Sequence, residues 1–279
     1  MQDQLLHSNS IQLHYLDSGH NDRPALVLLH GLTANAHAFD GLMAQGLGNQ
    51  FRVIAVDLRG RGGSSQPEDD YGFEAHARDI LGLLDALHLP EVMICGHSYG
   101  GYLGVYLAAR YPERVKRLIL LDAAITMNAR LPEMLLPALS RLDKTFVSYE
   151  TYMGQMKAAP HNTFWEPEME AYYDADIIRH EDGTVTPIPR LAHIIAISKG
   201  TAAEAWPELF AAVQQPSLLL HATDPYALGE ALLPEPQARE AVAAMPDCRY
   251  IPVPGNHQTM LYGPGARVIV QALREFSAV

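Results

Sequence analysis

Residues 92–101 read VMICGHSYGG, and this stretch indicates the fold more clearly than any other part of the chain. Four apolar residues, typical of a buried strand, run into a serine flanked by glycines, and a helical pattern follows. A serine at so sharp a turn has strained backbone dihedral angles, and the flanking glycines let neighbouring backbone segments approach. The turn lifts the Ser98 hydroxyl out of the sheet. It also directs the Tyr99 N–H towards any negative charge that the serine creates.

Short apolar runs alternate with helix-patterned segments on both sides of this stretch, as in repeated βαβ units. Their nearly continuous hydrophobicity is typical of parallel strands that are covered on both faces. Residues 11–17 instead alternate apolar and polar side chains, which predicts a half-buried antiparallel strand at the sheet edge. The sequence therefore predicts an α/β fold with a mostly parallel sheet. The predicted strands are 25–29, 53–56, 92–95, 118–121, 218–220 and 250–253, and helices are predicted at 73–87 and 103–110.

The alternation stops between Ile125 and Pro207, where prolines divide the chain into short helical pieces and loops. We expect residues 125–207 to form an inserted cap, with residues 1–124 and 208–279 as the core. Methionines and aromatic residues in this segment would supply an adaptable apolar wall over a pocket, although most are expected to pack within the cap itself. The expected substrate contacts are Gly31, Met127 and Trp165.

A serine hydroxyl is a weak nucleophile and needs a base that a third group orients. His257 follows the predicted strand 250–253, and the ends of parallel strands meet at one edge of a sheet. We therefore predict Ser98 as the nucleophile and His257 as the general base.

Two aspartates are candidates for the acid that orients His257. Asp224 follows the predicted strand 218–220, whereas Asp122 ends the strand before the cap. We favour Asp224, because its strand directly precedes that of the histidine and gives the chain order Ser, Asp, His. Asp122 is the alternative, and otherwise caps a turn at the entrance to the cap.

The loop at residues 30–33 reads HGLT and follows the first predicted parallel strand. Its glycine lets the backbone turn inward, so the N–H groups of Leu32 and Tyr99 are the predicted oxyanion hole. His30 is interpreted as a scaffold residue that hydrogen-bonds this loop.

A second glycine-rich loop, DLRGRGGSS at residues 57–65, lacks the lysine pattern of a P-loop and the fingerprint of a dinucleotide site. We interpret it as a turn that Asp57 and Arg59 stabilise. His76, His88, His97 and His180 show no pairing in the sequence and are interpreted as structural.

Composition excludes several classes of protein. The formal net charge of −12 and the absence of a basic run give no electrostatic basis for binding nucleic acid. No apolar run reaches the length of a membrane span, and Met1–Ser10 lacks the apolar core of a signal peptide, so a cytoplasmic protein is expected. Two cysteines and no His/Cys cluster predict neither a disulfide framework nor a metal site, and no cofactor is expected.

Taken together, His30-Gly31, the 57–65 turn, the 96–101 motif, Asp224 and the segment 255–257 resemble the α/β-hydrolase superfamily. The resemblance implies an eight-stranded, mostly parallel sheet flanked by helices, with a helical cap inserted after the sixth strand. The serine at position 98 differs from the aspartate nucleophile of the haloalkane dehalogenase and epoxide hydrolase branches.

The expected activity is hydrolysis of a small-molecule carboxylic ester, thioester or lactone through an acyl-enzyme on Ser98. The apolar cap and the acidic chain favour an uncharged, apolar substrate. One alternative is carbon-carbon bond hydrolysis of ring-cleavage products, for which Arg130, Arg179 or Arg190 would bind the substrate carboxylate. The other alternative is a ligand-binding receptor without catalytic activity.

Overall fold

The computed structural model describes residues 1–277 and is built around an eight-stranded sheet of order β1-β2-β4-β3-β5-β6-β9-β10. The pairs β1/β2 and β2/β4 are antiparallel, and all other neighbours in this sheet are parallel. A hairpin of β7 and β8 forms a separate two-stranded sheet. The strands are β1 Gln2–Ser8, β2 Ile11–Asp17, β3 Ala25–Leu29, β4 Arg52–Val56, β5 Val92–His97, β6 Val115–Leu121, β7 Ile177–Arg179, β8 Val185–Pro187, β9 Ser217–Ala222 and β10 Cys248–Val253.

Helices cover both faces of the main sheet. The side that α2, α3, α8 and α9 cover includes Ile80, Leu103 and Phe210, and α1 and α10 cover the opposite side with residues such as Leu42 and Ile269. The helices are α1 Asp40–Ala44, α2 Phe73–Ala86, α3 Tyr99–Arg110, α4 Leu131–Leu139, α5 Tyr149–Lys157, α6 Pro167–Asp174, α7 Leu191–Ala203, α8 Trp206–Ala212, α9 Glu235–Ala244 and α10 Gly263–Ser277. Short 3₁₀ turns lie at Ala36–Phe39, Leu47–Asn49, Pro112–Arg114 and Thr259–Leu261.

The predicted fold class is confirmed, and every predicted strand lies within an observed one. The prediction that residues 11–17 form the sheet edge was wrong, because β1 pairs with the outer side of β2. β1 escaped notice because only Leu6 is apolar on its more buried face, where Gln4 and Ser8 are polar. The two predicted helices are observed, and α3 begins four residues earlier than predicted, directly after Ser98.

Residues 122–216 lie between β6 and β9 in the chain and contribute no strand to the main sheet. This segment contains α4–α8 and the β7/β8 hairpin, and we propose residues 125–207 of it as the cap. The hairpin was not predicted, because each of its strands is only three residues long and too short to show a period.

Candidate active site

Ser98 occupies the turn between β5 and α3 with φ 54° and ψ −117°, a combination that is strained for any residue with a Cβ. The backbone holds this conformation on both sides. The Ser98 N–H donates to the Leu121 carbonyl at 3.0 Å, and the Ser98 carbonyl accepts from the Gly101 N–H at 2.8 Å. The hydroxyl-bearing side chain is thereby fixed at the carboxyl end of the sheet, where it lines a cavity.

The glycines around Ser98 are required by close backbone packing, as the sequence predicted. A Cβ on Gly96 would overlap the carbonyl group of Gly100, and a Cβ on Gly100 would overlap the carbonyl of Leu29. The second contact shows that α3 begins in direct backbone contact with the end of β3. This packing places the loop after β3 beside the Ser98 turn.

His257 lies in the loop after β10 and lines the same cavity as Ser98. Its Nδ1 lies 2.7 Å from Oδ2 of Asp122, and the two side chains are only 7% and 1% exposed. The other carboxylate oxygen of Asp122 accepts the Ala222 N–H at 2.9 Å. Asp122 has a φ of 52°, and this left-handed backbone at the end of β6 points the carboxylate across β9 towards the histidine.

The choice of Asp224 as the partner of His257 is therefore corrected to Asp122. Asp224 is exposed, and its carboxylate accepts the Gly255 N–H at 3.1 Å and the Thr223 hydroxyl at 3.2 Å. Its own N–H donates to the Gly255 carbonyl at 3.0 Å. Asp224 thus supports the loop that carries His257 without touching the imidazole, because its side chain turns towards the backbone of that loop.

The bond to Asp122 determines which nitrogen of His257 is available for proton transfer. A carboxylate only accepts hydrogen bonds, so Nδ1 carries the proton and Nε2 keeps its lone pair. Within the described residues, no hydrogen bond joins the Ser98 hydroxyl to Nε2. Such contacts commonly shorten when a substrate closes the site.

His97 also contributes to the position of His257, a role that was not predicted from the sequence. Its Nε2–H donates to the His257 carbonyl at 2.8 Å, and the two rings lie 4.6 Å apart. Burial lowers the pKa of His97 well below its usual value. His97 is therefore neutral at pH 7 and acts as a donor through one nitrogen only.

The loop after β3 is held by His30, in agreement with its predicted role. The Nδ1–H of His30 donates to the Gly31 carbonyl at 2.7 Å, and Nε2 accepts the Leu58 N–H at 3.0 Å. Burial lowers the pKa of His30 to about 4, which fixes the neutral form that this pattern needs. The predicted oxyanion donors Leu32 and Tyr99 both line the cavity beside Ser98. Within residues 1–277, neither of their N–H groups has a hydrogen-bond acceptor.

The 57–65 turn is a structural loop, as predicted. The Asp57 carboxylate accepts the N–H groups of Ala36 at 2.6 Å and Gly63 at 2.8 Å. Arg59 forms a buried pair with Asp79, with Nε 2.7 Å from Oδ2. Asp57 and Arg59 thus find partners in the protein scaffold, whereas the fully buried Arg61, among the described residues, leaves its Nε without an acceptor.

The cavity over Ser98 has a volume of about 720 Å³, within the range of small-molecule sites. Apolar side chains from α4 and from the loop after α5 form one side of its wall, and α7 adds Ser198, Thr201 and Ala202. Two of the three predicted contacts, Gly31 and Met127, line it. Trp165 is not among the residues that line it; the Trp165 ring stacks on that of Tyr173, with the ring centres 5.5 Å apart.

A buried arginine that the sequence had not singled out, Arg141, also reaches the cavity. Its Nε donates to Asp176 at 2.9 Å, and its terminal nitrogens donate to Asp176 at 3.1 Å and to the carbonyls of Thr33 at 3.0 Å and Ala138 at 2.6 Å. These bonds occupy its donor groups and tie the cap to the loop after β3.

The three arginines proposed as carboxylate ligands lie elsewhere. Arg130 pairs with Glu133 and Glu230, Arg179 pairs with Asp174, and Arg190 is exposed before α7. None of the three is among the residues that line the cavity.

Two further features of the described part of the chain bear on its chemistry. No group of three or more His, Cys, Asp or Glu side chains in residues 1–277 is arranged to hold a metal ion. No helix in the same range is both long enough and apolar enough to span a bilayer.

The chain is similar to several hydrolases of known name. It is 34% identical over 119 residues to 3-oxoadipate enol-lactonase 2 of Acinetobacter baylyi, covering 43% of this chain and 44% of the relative. It is 38% identical over 99 residues to 2-(acetamidomethylene)succinate hydrolase of Mesorhizobium japonicum, covering 36% of this chain and 35% of the relative. The matched segments span less than half the length of these curated relatives.

The fold is shared over a much longer range. The crystal structure of an E-2-(acetamidomethylene)succinate hydrolase superimposes with a TM-score of 0.87, covering 100% of this chain and 99% of the other at 22% identity. A family model described as the alpha/beta hydrolase fold matches residues 24–227, most of the chain. The chain therefore belongs to the α/β-hydrolase family.

Proposed function

We propose that the chain is a serine hydrolase that cleaves a small, uncharged carboxylic ester, thioester or lactone through an acyl-enzyme on Ser98. The observation that carries the proposal is a shared cavity. Ser98, on its strained turn, lines the same cavity as His257. Nδ1 of His257 lies 2.7 Å from the buried carboxylate of Asp122, which leaves Nε2 available to accept a proton. The orienting acid in this proposal is Asp122.

The first half of the reaction forms the acyl-enzyme. Nε2 of His257 takes the hydroxyl proton while the Ser98 oxygen attacks the carbonyl carbon. The resulting oxyanion is stabilised by the N–H groups of Leu32 and Tyr99 and by the N-terminal end of α3. His257 then returns the proton to the leaving alcohol, thiol or lactone oxygen as the carbon-oxygen or carbon-sulfur bond breaks.

The second half repeats these steps with water. His257 removes a proton from the water that attacks the acyl group, and returns it to the Ser98 oxygen when the acid leaves. Asp122 keeps the histidine in the correct tautomer throughout and stabilises the imidazolium that forms twice per cycle. This chemistry needs no cofactor.

The preference for an uncharged substrate rests on the polar groups of the cavity. Among residues 1–277, the one guanidinium in its wall belongs to Arg141, whose donors are engaged by Asp176 and two carbonyls. A substrate carboxylate would have to displace one of these buried bonds, which is costly. The names of the two curated relatives indicate a carboxylate-bearing substrate for each of them, and we propose that this chain differs in that respect.

The test combines a covalent probe with turnover. Wild type, Ser98→Ala and Ser198→Ala are incubated with a fluorophosphonate and with nitrophenyl esters from acetate to decanoate, and intact mass and hydrolysis rate are recorded. Ser198 is the matched control, because it also lines the cavity but donates its hydroxyl to the Ile194 carbonyl at 2.9 Å.

Labelling and turnover are expected in wild type and Ser198→Ala and are expected to vanish in Ser98→Ala. The size of the cavity predicts a chain-length optimum above acetate. If wild type is neither labelled nor active, the esterase proposal fails, and a receptor without turnover explains the same cavity better. Activity on vinylogous diketone acids in place of simple esters would favour the carbon-carbon hydrolase.

A further inference from the structure

His161 is a polar side chain in the cavity wall that the proposed reaction does not use. It lies in the segment between α5 and α6, is 7% exposed and lines the cavity together with His257. Within residues 1–277, neither of its ring nitrogens has a hydrogen-bond partner. Neither nitrogen is fully enclosed by protein, so both open to the cavity, and an apolar ligand that displaces water there would leave the imidazole unpaired at a desolvation cost.

The position of His161 is fixed from two directions. The Asn256 side chain, next to His257 in the chain, donates to the His161 carbonyl at 2.9 Å. The imidazole stacks on the Tyr226 ring at 5.3 Å and 16°, and Tyr226 in turn meets His257 edge-on at 5.8 Å. His161 is therefore held beside the reacting groups without bonding to any of them.

The electrostatic state of His161 restricts what it binds. Burial lowers its pKa to about 4, and the nearby charges of Arg141 and His257 act in the same direction. Near neutral pH the ring is uncharged and offers one N–H donor and one nitrogen acceptor. A neutral ring supplies no positive charge to offset the desolvation of a carboxylate, whereas it can hydrogen-bond a carbonyl, amide or hydroxyl group without that cost.

We propose that His161 is the specificity-determining residue of this cavity, and that it hydrogen-bonds an uncharged polar group carried by the ester in addition to the scissile carbonyl. The preferred substrates are then esters with a second neutral hydrogen-bonding group, such as a keto, amide or hydroxyl function. Purely apolar esters leave the buried imidazole unpaired and are selected against, since a buried polar group without a partner penalises the analogue that lacks one. This inference rests on the proposed ester hydrolysis and deepens it.

The experiment compares methyl 4-oxopentanoate, methyl pentanoate and monomethyl glutarate, which have acyl chains of equal length and the same leaving group. Hydrolysis is followed by proton release, and the readout is the ratio of kcat/KM between esters. Wild type is expected to prefer the keto ester over the plain ester by about three- to tenfold, and to prefer both over the acidic half-ester.

Three variants locate the source of this preference. His161→Phe keeps a ring over Tyr226 but removes both nitrogens, so the keto/plain ratio is expected to fall to about one. Tyr226→Phe keeps the stacked pair and is expected to keep the ratio. His180→Phe makes the same substitution at an exposed cap histidine that bonds Thr186, outside the cavity lining, and is expected to keep the ratio as well.

A binding measurement separates failure of this inference from failure of the proposed function. Dissociation constants for the keto and plain esters are measured by ligand-observed NMR in Ser98→Ala and in Ser98→Ala/His161→Phe, where no turnover is expected. If the wild type hydrolyses neither ester, the proposed function fails, but a keto preference in Ser98→Ala that disappears in the double variant still supports the role of His161. Equal ratios in wild type and His161→Phe, or a preference that disappears in Tyr226→Phe alone, would overturn it.

Discussion

Replacing Asp122 by asparagine tests the geometry of the site most directly. One carboxylate oxygen of Asp122 accepts the Ala222 N–H at 2.9 Å and the other faces Nδ1 of His257 at 2.7 Å. An asparagine would place its carbonyl oxygen on the Ala222 N–H and turn its NH₂ group towards His257. A donor would then face Nδ1, so the imidazole would carry its proton on Nε2, where it could not accept the proton of Ser98.

The expected loss in kcat/KM for Asp122→Asn is about 10³- to 10⁴-fold, or roughly 4–5 kcal/mol of transition-state stabilisation. The matched control is Asp224→Asn, because its amide oxygen can still accept the Gly255 N–H, and its kcat/KM should stay within about threefold of wild type. Both variants are assayed with the best nitrophenyl ester, and the rate of fluorophosphonate labelling reports on Ser98 alone. Urea unfolding of each variant shows whether a loss of activity reflects a loss of folded protein.

The opposite pattern would refute this reasoning. If Asp224→Asn lost activity by several orders of magnitude while Asp122→Asn retained it, His257 would take its partner from the loop after β9 during turnover. Equal losses in both variants, with folding intact, would show that the loop position matters as much as the tautomer. Only a large loss of kcat/KM in Asp122→Asn together with a small loss in Asp224→Asn supports Asp122 as the orienting acid.

Three further predictions concern stability and are checked by urea unfolding. Between pH 7 and 5 wild type should lose about 2 kcal/mol more stability than His161→Phe, because the unfolded chain protonates this histidine near pH 6.5 whereas burial lowers its folded pKa to about 4; equal losses would contradict a buried neutral ring. Gly100→Ala should cost about 3 kcal/mol or more through backbone overlap, whereas Gly154→Ala, with open space around it in α5, should stabilise by about 0.5–1 kcal/mol; similar effects at both sites would argue against that overlap. Asp176→Asn should cost about 3–5 kcal/mol because it leaves the buried charge of Arg141 without its counter-ion; a cost near zero would mean that solvent reaches the pair.

The sequence predicted the parallel strands well, because a strand that is buried on both faces consists of a run of apolar residues that is visible in the sequence alone. The segment 92–97 is fully buried from end to end, so its apolar run could be assigned without knowing its neighbours. β1 and the β7/β8 hairpin were missed for the opposite reason. The more buried face of β1 carries only one apolar residue, Leu6, and each hairpin strand is three residues long, so neither shows an apolar period, and their place in the fold depends on pairing with partners elsewhere in the chain.

The site residues that belong to one short sequence motif, or that directly follow a strand, could be predicted. The residue whose role depends on the direction of its side chain could not. Ser98 and its glycines form one continuous motif, and His257 follows from its place after a strand. Asp122 and Asp224 both follow strands that end at the same edge of the sheet, so the spacing did not discriminate between them. The left-handed backbone of Asp122, which points its carboxylate at the imidazole, has no counterpart in the periodicity of the sequence.

The position of the orienting acid also bears on how the cavity is built. Because Asp122 reaches His257 from the end of β6, the loop after β9 does not have to present a carboxylate to the imidazole. That loop instead bonds the Gly255 backbone through Asp224 and places Tyr226 against both His257 and His161. The choice of acid and the polar group that we propose for substrate selection are therefore linked through one short loop. Asp224→Ala removes the carboxylate bond to the Gly255 N–H and leaves only the bond from its own N–H to the Gly255 carbonyl. This loosening of the loop is expected to weaken the keto preference more than the turnover of the plain ester in the same methyl-ester assay.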